Sequence, residues 1–153
     1  MNYARSARTG NIILCEGYMD VISMHQAGFT QAVASLGTAF TPGQAGMIKK
    51  YTRDVLLAYD SDGAGVKAAL RAIRILRDAG MSGKIIDMSP YKDPDEFMKN
   101  LGKEAFEFGR NLLTLVVDQG AHRTGSKTRD DAVAHMQRTV LQQHSRQRTS
   151  RLV

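Results

Sequence analysis

The chain has 153 residues, 42% of them hydrophobic and 24% charged, which is typical of a single globular domain. No apolar run approaches the roughly 20 residues that cross a bilayer, and residues 1–10 lack the apolar core of a signal peptide, so we expect a cytoplasmic protein with no membrane partner. The net charge of +6 lies mainly in residues 110–153, which hold eight of the 21 Lys and Arg residues but only three of the 15 acids. A basic segment of this kind is typical both of proteins that bind nucleic acid and of tails that are simply solvated.

The first third of the chain predicts two strands, each followed by a helix. Residues 11–15 are expected to form a strand buried on both faces, because residues 12–15 are continuously apolar, and residues 31–35 form a weaker strand. The helix between them is expected to end at Gly28 and to pack through Tyr18 and Met19. Its apolar face is expected to comprise Met19, Ile22, Met24 and Ala27. After the second strand, Thr41 followed by a proline is typical of a capped helix start.

The middle of the chain predicts two more strands, at residues 55–59 and 84–88. Between them lies the clearest helical pattern, about residues 66–79, whose small and apolar residues recur at i, i+3 and i+4 and which Gly80 ends. Another helix begins near Asp95. Strands that alternate with helices at this spacing predict an α/β fold with a parallel sheet flanked by helices.

Acidic side chains follow three of these strands. Glu16 comes after the first strand, Asp60 and Asp62 after the third, and Asp93 and Asp95 after the fourth. In parallel sheets the functional crevice lies outside the carboxyl ends of the strands. We therefore expect these carboxylates to share one site.

Carboxylates grouped in this way suit Mg²⁺, which takes hard oxygen ligands together with water and substrate phosphate. Asp60 and Asp62 lie two residues apart in a turn, and the glycines at 63 and 65 allow close backbone approach before the next helix begins. Glu16 would add a further oxygen donor or a proton-transfer group. With divalent metal ions, such a crevice becomes a phosphoryl-transfer site.

Each acidic pair also has a simpler structural interpretation. An Asp-x-Asp-Gly sequence is common in turns and helix caps, and Asp93 and Asp95 flank a proline at a predicted helix start. Glu16 is harder to explain in this way, because an unpaired carboxylate that closes a buried strand is unfavourable. Three acidic clusters at one predicted edge therefore favour a metal site.

Four motifs resemble the Toprim domain of bacterial DnaG-type primases. They are EGYMDVI at residues 16–22, AVASLGTA at 32–39, YDSDGAG at 59–65 and KDPDEF at 92–97. The resemblance covers about residues 1–108 and implies a Toprim domain there, with a Rossmann-like parallel sheet flanked by helices.

The resemblance also implies an activity and its residues. Glu16, Asp60 and Asp62 would be catalytic, and Mg²⁺ or Mn²⁺ would be held by Glu16, Asp20, Asp60, Asp62, Asp93 and Asp95. The implied reaction is the synthesis of short RNA primers from nucleoside triphosphates on a single-stranded DNA template during replication.

Several features expected of a complete primase of this family are not found in the sequence. They are the zinc-binding domain, the basic subdomain before the Toprim domain, and the domain that binds the replicative helicase. A stand-alone Toprim nuclease and a non-catalytic remnant that binds nucleic acid or a partner protein therefore stay open as alternatives. Residues 109–153 are expected to form a divergent, basic and partly disordered tail, in which a helix continues through residues 112–117 and another spans residues 130–143.

Overall fold

The computed structural model describes residue 4 and residues 9–36, 39–88, 90–112 and 114–115. Five strands and four helices are present in this part of the chain. The strands are β1 (Asn11–Cys15), β2 (Ala32–Ala34), β3 (Asp54–Ala58), β4 (Ser82–Ile86) and β5 (Thr114–Leu115). The helices are α1 (Tyr18–Gln26), α2 (Pro42–Lys49), α3 (Gly63–Asp78) and α4 (Pro94–Leu112).

The strands form one sheet in the order β2-β1-β3-β4-β5, and the first four are parallel. At the end of β1, Cys15 is in register with Ala34 on one side and with Ala58 on the other. The carboxyl ends of β1, β2 and β3 are therefore level, so the residues that follow them emerge at one edge. The predicted α/β fold with a parallel sheet flanked by helices is confirmed.

Helices cover both faces of the sheet, which explains why its central strands are continuously apolar. Alternate strand residues point to opposite faces, so Ile13 and Leu56 belong to one core and Ile12 and Val55 to the other. The first core is completed by α1 and α4, which contribute Met24, Phe97, Ala105 and Phe106. The second is completed by α2 and α3, which contribute Ala45, Ile48, Ala69, Ala72, Ile73 and Leu76.

The predicted helix boundaries at Thr41, Gly28 and Gly80 are confirmed. Thr41 Oγ1 accepts a hydrogen bond from the Gln44 backbone N–H at 3.2 Å, and Gln44 Oε1 accepts one from the Thr41 N–H at 2.9 Å. This reciprocal pair satisfies donors that the first turn of α2 would otherwise leave unpaired. Gly28 and Gly80 follow α1 and α3 with φ of +94° and +71°, a region that favours glycine.

The predicted apolar face of α1 is confirmed for Met24 and Ala27, which pack in the first core, and is wrong for Met19 and Ile22. Met24 is buried, but Tyr18, Met19 and Ile22 are exposed, with relative accessibilities of 65%, 51% and 45%. The buried stripe instead includes Asp20, which lies one turn before Met24 on the same side of the helix. The reason is positional: only two residues separate β1 from α1, so the first turn of α1 lies over the polar edge of the sheet rather than over the core.

The end of the described chain also differs from the prediction. The helix predicted through residues 112–117 ends at Leu112, and Thr114 and Leu115 form a strand antiparallel to β4. The free edge of β4 offers unpaired backbone groups, and pairing with β5 satisfies some of them. Residue 113 and residues 116–153 of the predicted tail, including the helix predicted at residues 130–143, lie outside the described residues. No helix in the described part of the chain is both long and apolar enough to span a membrane.

Candidate metal centre

The site begins where β1 and β3 end side by side. Glu16 directly follows β1, and its Oε1 accepts a hydrogen bond from the backbone N–H of Asp60 at 3.2 Å. Asp60 follows β3 by two residues, and both acidic residues are partly buried. The pairing of the two strands therefore brings together two of the predicted catalytic residues.

The first turn of α1 adds a third carboxylate. Asp20 Oδ2 accepts a hydrogen bond from the Gly17 backbone N–H at 3.1 Å, and Asp20 is only 8% exposed. This bond satisfies one of the free N–H groups at the helix start. It also turns the Asp20 carboxylate back towards the residues that follow β1.

Asp60 and Asp62, although only two residues apart, have different environments. Asp62 is exposed and caps α3, since its Oδ1 accepts hydrogen bonds from the N–H groups of Ala64 at 2.9 Å and Gly65 at 2.7 Å. Gly65 packs against Asp60 so closely that an added Cβ would overlap the Asp60 carbonyl oxygen and lie 2.8 Å from its carbon. The helix start thus holds the Asp60 backbone in place, as the glycine-rich sequence suggested.

The turn before α4 supplies the fourth carboxylate. Asp93 Oδ1 accepts a hydrogen bond from the Glu96 backbone N–H at 2.8 Å, so Asp93 caps α4. The preceding residue, Lys92, accepts a hydrogen bond through its carbonyl oxygen from the Ser61 N–H at 2.7 Å. This bond joins the turn after β3 to the turn before α4.

Four of the six predicted metal-site residues line one cleft of about 540 Å³. They are Glu16, Asp20, Asp60 and Asp93, and the other lining residues are Gly17, Tyr18 and Leu36. Asp62 and Asp95 are not among the lining residues. The volume is in the range of small-molecule sites.

Asp95 is instead held by two neighbouring side chains. It accepts hydrogen bonds from the Ser23 hydroxyl on α1 and from Lys99 Nζ, the latter at 2.6 Å. Lys99, followed by Ser23, lowers the pKa of Asp95 below its usual value. Asp95 therefore connects α4 to α1. The Asp–Lys spacing of four residues was a readable signal for Lys99, whereas nothing in the sequence pointed to Ser23.

The environment of the cleft raises the pKa of three of its carboxylates, through burial first and neighbouring negative charge second. Burial raises the pKa of Glu16, and the nearby charge of Asp60 raises it further. Burial and then the charge of Asp93 raise the pKa of Asp60, which Lys92 only partly opposes. Burial is also the main cause of the raised pKa of Asp20. The cleft therefore concentrates negative charge that a bound cation would relieve.

The donor set fits a hard divalent cation. Every candidate ligand in the cleft is a carboxylate oxygen, the donor that Mg²⁺ prefers. Among the residues that the structure describes, no three acidic, histidine or cysteine side chains converge tightly enough to enclose an ion. Mg²⁺ does not require such a cage, because it commonly binds one or two carboxylates and keeps several waters. Glu16 and Asp60, supported by Asp20 and Asp93, are the residues that would hold it.

Sequence reasoning missed two residues that line the cleft. Tyr18 was expected to pack α1 but is exposed at the cleft. Leu36 follows β2, is 65% exposed and has a φ of +59°. A left-handed conformation costs a residue with a Cβ roughly 1–2 kcal/mol, and such strain is often found at functional sites. Nothing about a leucine at this position in the sequence indicates its left-handed conformation or its place at the cleft.

Comparison with known proteins identifies the family of this chain. Residues 13–98 match the Toprim-like family. The DNA primase of Clostridium acetobutylicum is 51% identical over 107 residues, which cover 69% of this chain and 18% of that protein.

Two solved structures are similar in both fold and sequence. The Aquifex aeolicus primase, comprising zinc-binding and RNA polymerase domains, has a TM-score of 0.68 at 38% identity, over 72% of this chain and 28% of that one. A DnaG primase catalytic domain bound to single-stranded DNA has a TM-score of 0.64 at 33% identity, over 71% of this chain and 36% of that one. The chain therefore spans 18% to 36% of these relatives. It belongs to the Toprim-like family, and its sequence and fold are similar to those of the DnaG primase catalytic domain.

Proposed function

We propose that this chain carries the metal-dependent catalytic centre of a DnaG-type primase. The reaction is nucleotidyl transfer that builds short RNA primers on single-stranded DNA during replication. One observation carries the proposal: Glu16, Asp20, Asp60 and Asp93 line a single cleft at the carboxyl edge of a sheet similar to that of primase catalytic domains. Residues 1–108 would form this Toprim domain and residues 109–153 a basic tail.

The geometry suggests a division of roles among the acidic residues. Mg²⁺ or Mn²⁺ bound by Glu16 and Asp60, with Asp20 and Asp93 beside them, would supply positive charge for the triphosphate and the departing pyrophosphate. The Asp60 N–H fixes one carboxylate oxygen of Glu16, and the other oxygen would take a proton from a primer 3′-hydroxyl. Asp62 would act by holding the start of α3 and by adding charge beside the cleft.

The proposed partners follow from this reaction. They are a single-stranded DNA template, the growing RNA primer and nucleoside triphosphates, and the place of action is the cytoplasm. One structural relative is a DnaG catalytic domain bound to single-stranded DNA, which supports the template assignment. The replicative helicase would be a partner of the longer family proteins rather than of residues 1–108.

Thermal unfolding in the presence of Mg²⁺ or Mn²⁺ tests the metal centre directly. A ligand at 100 times its dissociation constant stabilises the folded state by about 2.7 kcal/mol, so saturating metal should raise the melting temperature by several degrees. Asp60→Asn should remove most of this rise. Asp54→Asn is the matched control, because Asp54 is an exposed carboxylate at the opposite end of β3 and should leave the rise unchanged.

Activity assays then distinguish the reaction from its alternatives. Primer synthesis on a single-stranded template that Asp60→Asn abolishes would support the proposal. Metal-dependent nicking of plasmid without primer synthesis would indicate a nuclease instead. A folded chain that shows no metal response would contradict a working metal centre, and nucleic-acid binding that survives Asp60→Asn in that chain would indicate a non-catalytic module.

A further inference from the structure

The two helical layers of the fold carry opposite charge. On one face of the sheet, α2 and α3 contain five basic residues and one acid, namely Lys49, Lys67, Arg71, Arg74, Arg77 and Asp78. On the other face, α1 and α4 contain five acids and three basic residues. A polyanion near this domain would therefore be attracted to the α2/α3 layer and repelled by the α1/α4 layer.

The basic residues of α3 are arranged along one line on its exposed side. Lys67, Arg71 and Arg74 are spaced at i, i+4 and i+7, and all three are exposed. They lie opposite the buried stripe that packs α3 on the sheet. With a rise of 1.5 Å per residue, the line from Lys67 to Arg74 extends about 10 Å along the helix.

Among the described residues, none of these basic groups forms an ion pair with an acid. The ion pairs found among the described residues, Lys99 with Asp95 and Lys103 with Glu107, are both on α4. Within the same part of the chain, no basic group of α3 lies within 4.0 Å of a carboxylate. The exposed face of α3 therefore differs from the charge-paired surface of α4, and its cations are available to an external anion.

The line of basic residues starts near the acidic cleft. α3 begins directly after Asp62, and Gly65 in its first turn packs against the backbone of Asp60. Lys67 lies only two residues further along the helix. A chain of phosphates whose end lies in the cleft would therefore meet Lys67 first and Arg74 last.

We propose that this basic face of α3, formed by Lys67, Arg71 and Arg74, binds the sugar–phosphate backbone of the nucleic-acid strand whose reacting end lies in the acidic cleft. The inference deepens the proposed function and rests on it for the identity of the strand. Arginine pairs well with phosphate through two parallel hydrogen bonds, and lysine acts as a point charge. Such contacts position a strand without reading its sequence.

Fluorescence anisotropy of a labelled single-stranded RNA oligonucleotide, which represents the primer strand whose 3′ end reacts, tests the proposal when it is measured with the full chain in EDTA at several salt concentrations. The variant Lys67→Gln/Arg71→Gln/Arg74→Gln removes three charges from α3. The matched variant Arg146→Gln/Arg148→Gln/Arg151→Gln removes three charges from the basic C-terminal sequence. Circular dichroism and thermal unfolding establish that both variants are folded.

We expect the α3 variant to bind at least about tenfold more weakly at moderate salt. The negative slope of log association constant against log salt concentration should become shallower by about 2, since each phosphate contact on a single strand contributes about 0.7 to its magnitude. The C-terminal variant should change both quantities much less. Equal losses in the two variants, an unchanged α3 variant, or no binding by the parent chain would overturn the proposal. Because the measurement excludes divalent metal, its failure would leave the thermal test of the metal centre unaffected.

Discussion

The backbone N–H of Asp60 donates a hydrogen bond to Glu16 Oε1 at 3.2 Å, although the two residues are 44 positions apart in sequence. The contact exists because β1 and β3 pair in register, with Cys15 beside Ala58 at their ends. It orients the Glu16 carboxylate by a main-chain group rather than by another side chain. Glu16 thus combines a structural role with its proposed catalytic one.

Two substitutions of Glu16 separate these roles. Glu16→Gln keeps an oxygen that can accept from the Asp60 N–H, so we expect stability to change little while primer synthesis falls by at least about a hundredfold, the usual contribution of general acid–base catalysis. Glu16→Ala leaves that partly buried N–H without its acceptor and should lower the free energy of unfolding by about 1 kcal/mol as well. Urea unfolding and a primer-synthesis assay measure the two effects. Equal stability of the Gln and Ala variants would contradict the structural role.

The raised pKa values in the cleft predict an unusual pH dependence of the metal-free protein. Glu16, Asp20 and Asp60 bind protons more tightly when folded than when unfolded. Their contribution to stability is therefore present below the ordinary carboxylate pKa and is lost as the pH rises through their raised values. Asp95 has a lowered pKa, so its contribution is present at neutral pH and is lost as the pH falls.

Urea unfolding in EDTA across the acidic range checks this sign. Because solvent screens these partly exposed groups, we expect Asp60→Asn to stabilise the metal-free protein by no more than about 1 kcal/mol at neutral pH and to flatten the loss of stability as the pH rises. Asp95→Asn should do the opposite and lower stability at neutral pH. Two variants that shift stability in the same direction would show that the cleft carboxylates do not repel one another as described.

Asp62 provides a prediction about its helix cap. Asp62→Ala removes the acceptor for the Ala64 and Gly65 N–H groups and should lower the free energy of unfolding by about 1 kcal/mol. Asp62→Asn keeps a capping oxygen and should be nearly as stable as the parent chain. If Asp62 also supports metal binding through its charge, both variants should reduce the metal-induced rise in melting temperature. An Asn variant as unstable as the Ala variant would contradict the capping role.

The close approach of α3 to Asp60 predicts that substitution of Gly65, but not of Gly63, lowers the stability of the protein strongly. Gly65→Ala places a methyl group against the Asp60 backbone and should destabilise the protein by about 2 kcal/mol or more, because backbone rather than a flexible side chain must move. It should also weaken the response to metal. Gly63→Ala is the matched control, since nothing lies within 4 Å of its added methyl and alanine favours the helix. Similar unfolding midpoints for the two variants would argue against the tight contact.

Much of the fold was readable from local sequence patterns. Continuous apolar runs identified the strands at residues 11–15 and 55–59, because a parallel strand covered by helices on both faces has no polar side. Thr41 and Gly80 marked helix ends, because a capping hydroxyl and a left-handed glycine satisfy backbone groups within a few residues of themselves. The acidic edge followed from strand direction alone.

Several features depended instead on which elements meet in space. Asp20 belongs to the buried stripe of α1 because that helix starts over the polar edge of the sheet, and the hydrophobic pattern assigned its place to Met19 and Ile22. The strand at Thr114–Leu115 exists because the edge of β4 was free to pair. Neither the burial of Asp20 nor the strand at Thr114–Leu115 can be predicted from the residues that surround it in the sequence.

The acidic residues illustrate both sides of this division. The sequence by itself determined that five carboxylates lie near one edge, because local apolar and turn patterns set strand direction. Only the tertiary structure decided that Asp60 and Asp93 line the cleft while Asp62 caps α3 and Asp95 joins α4 to α1. The physical reason is that a carboxylate takes the donors nearest to it in space, and the donor for Asp95 on α1, Ser23, is 72 residues away in the chain.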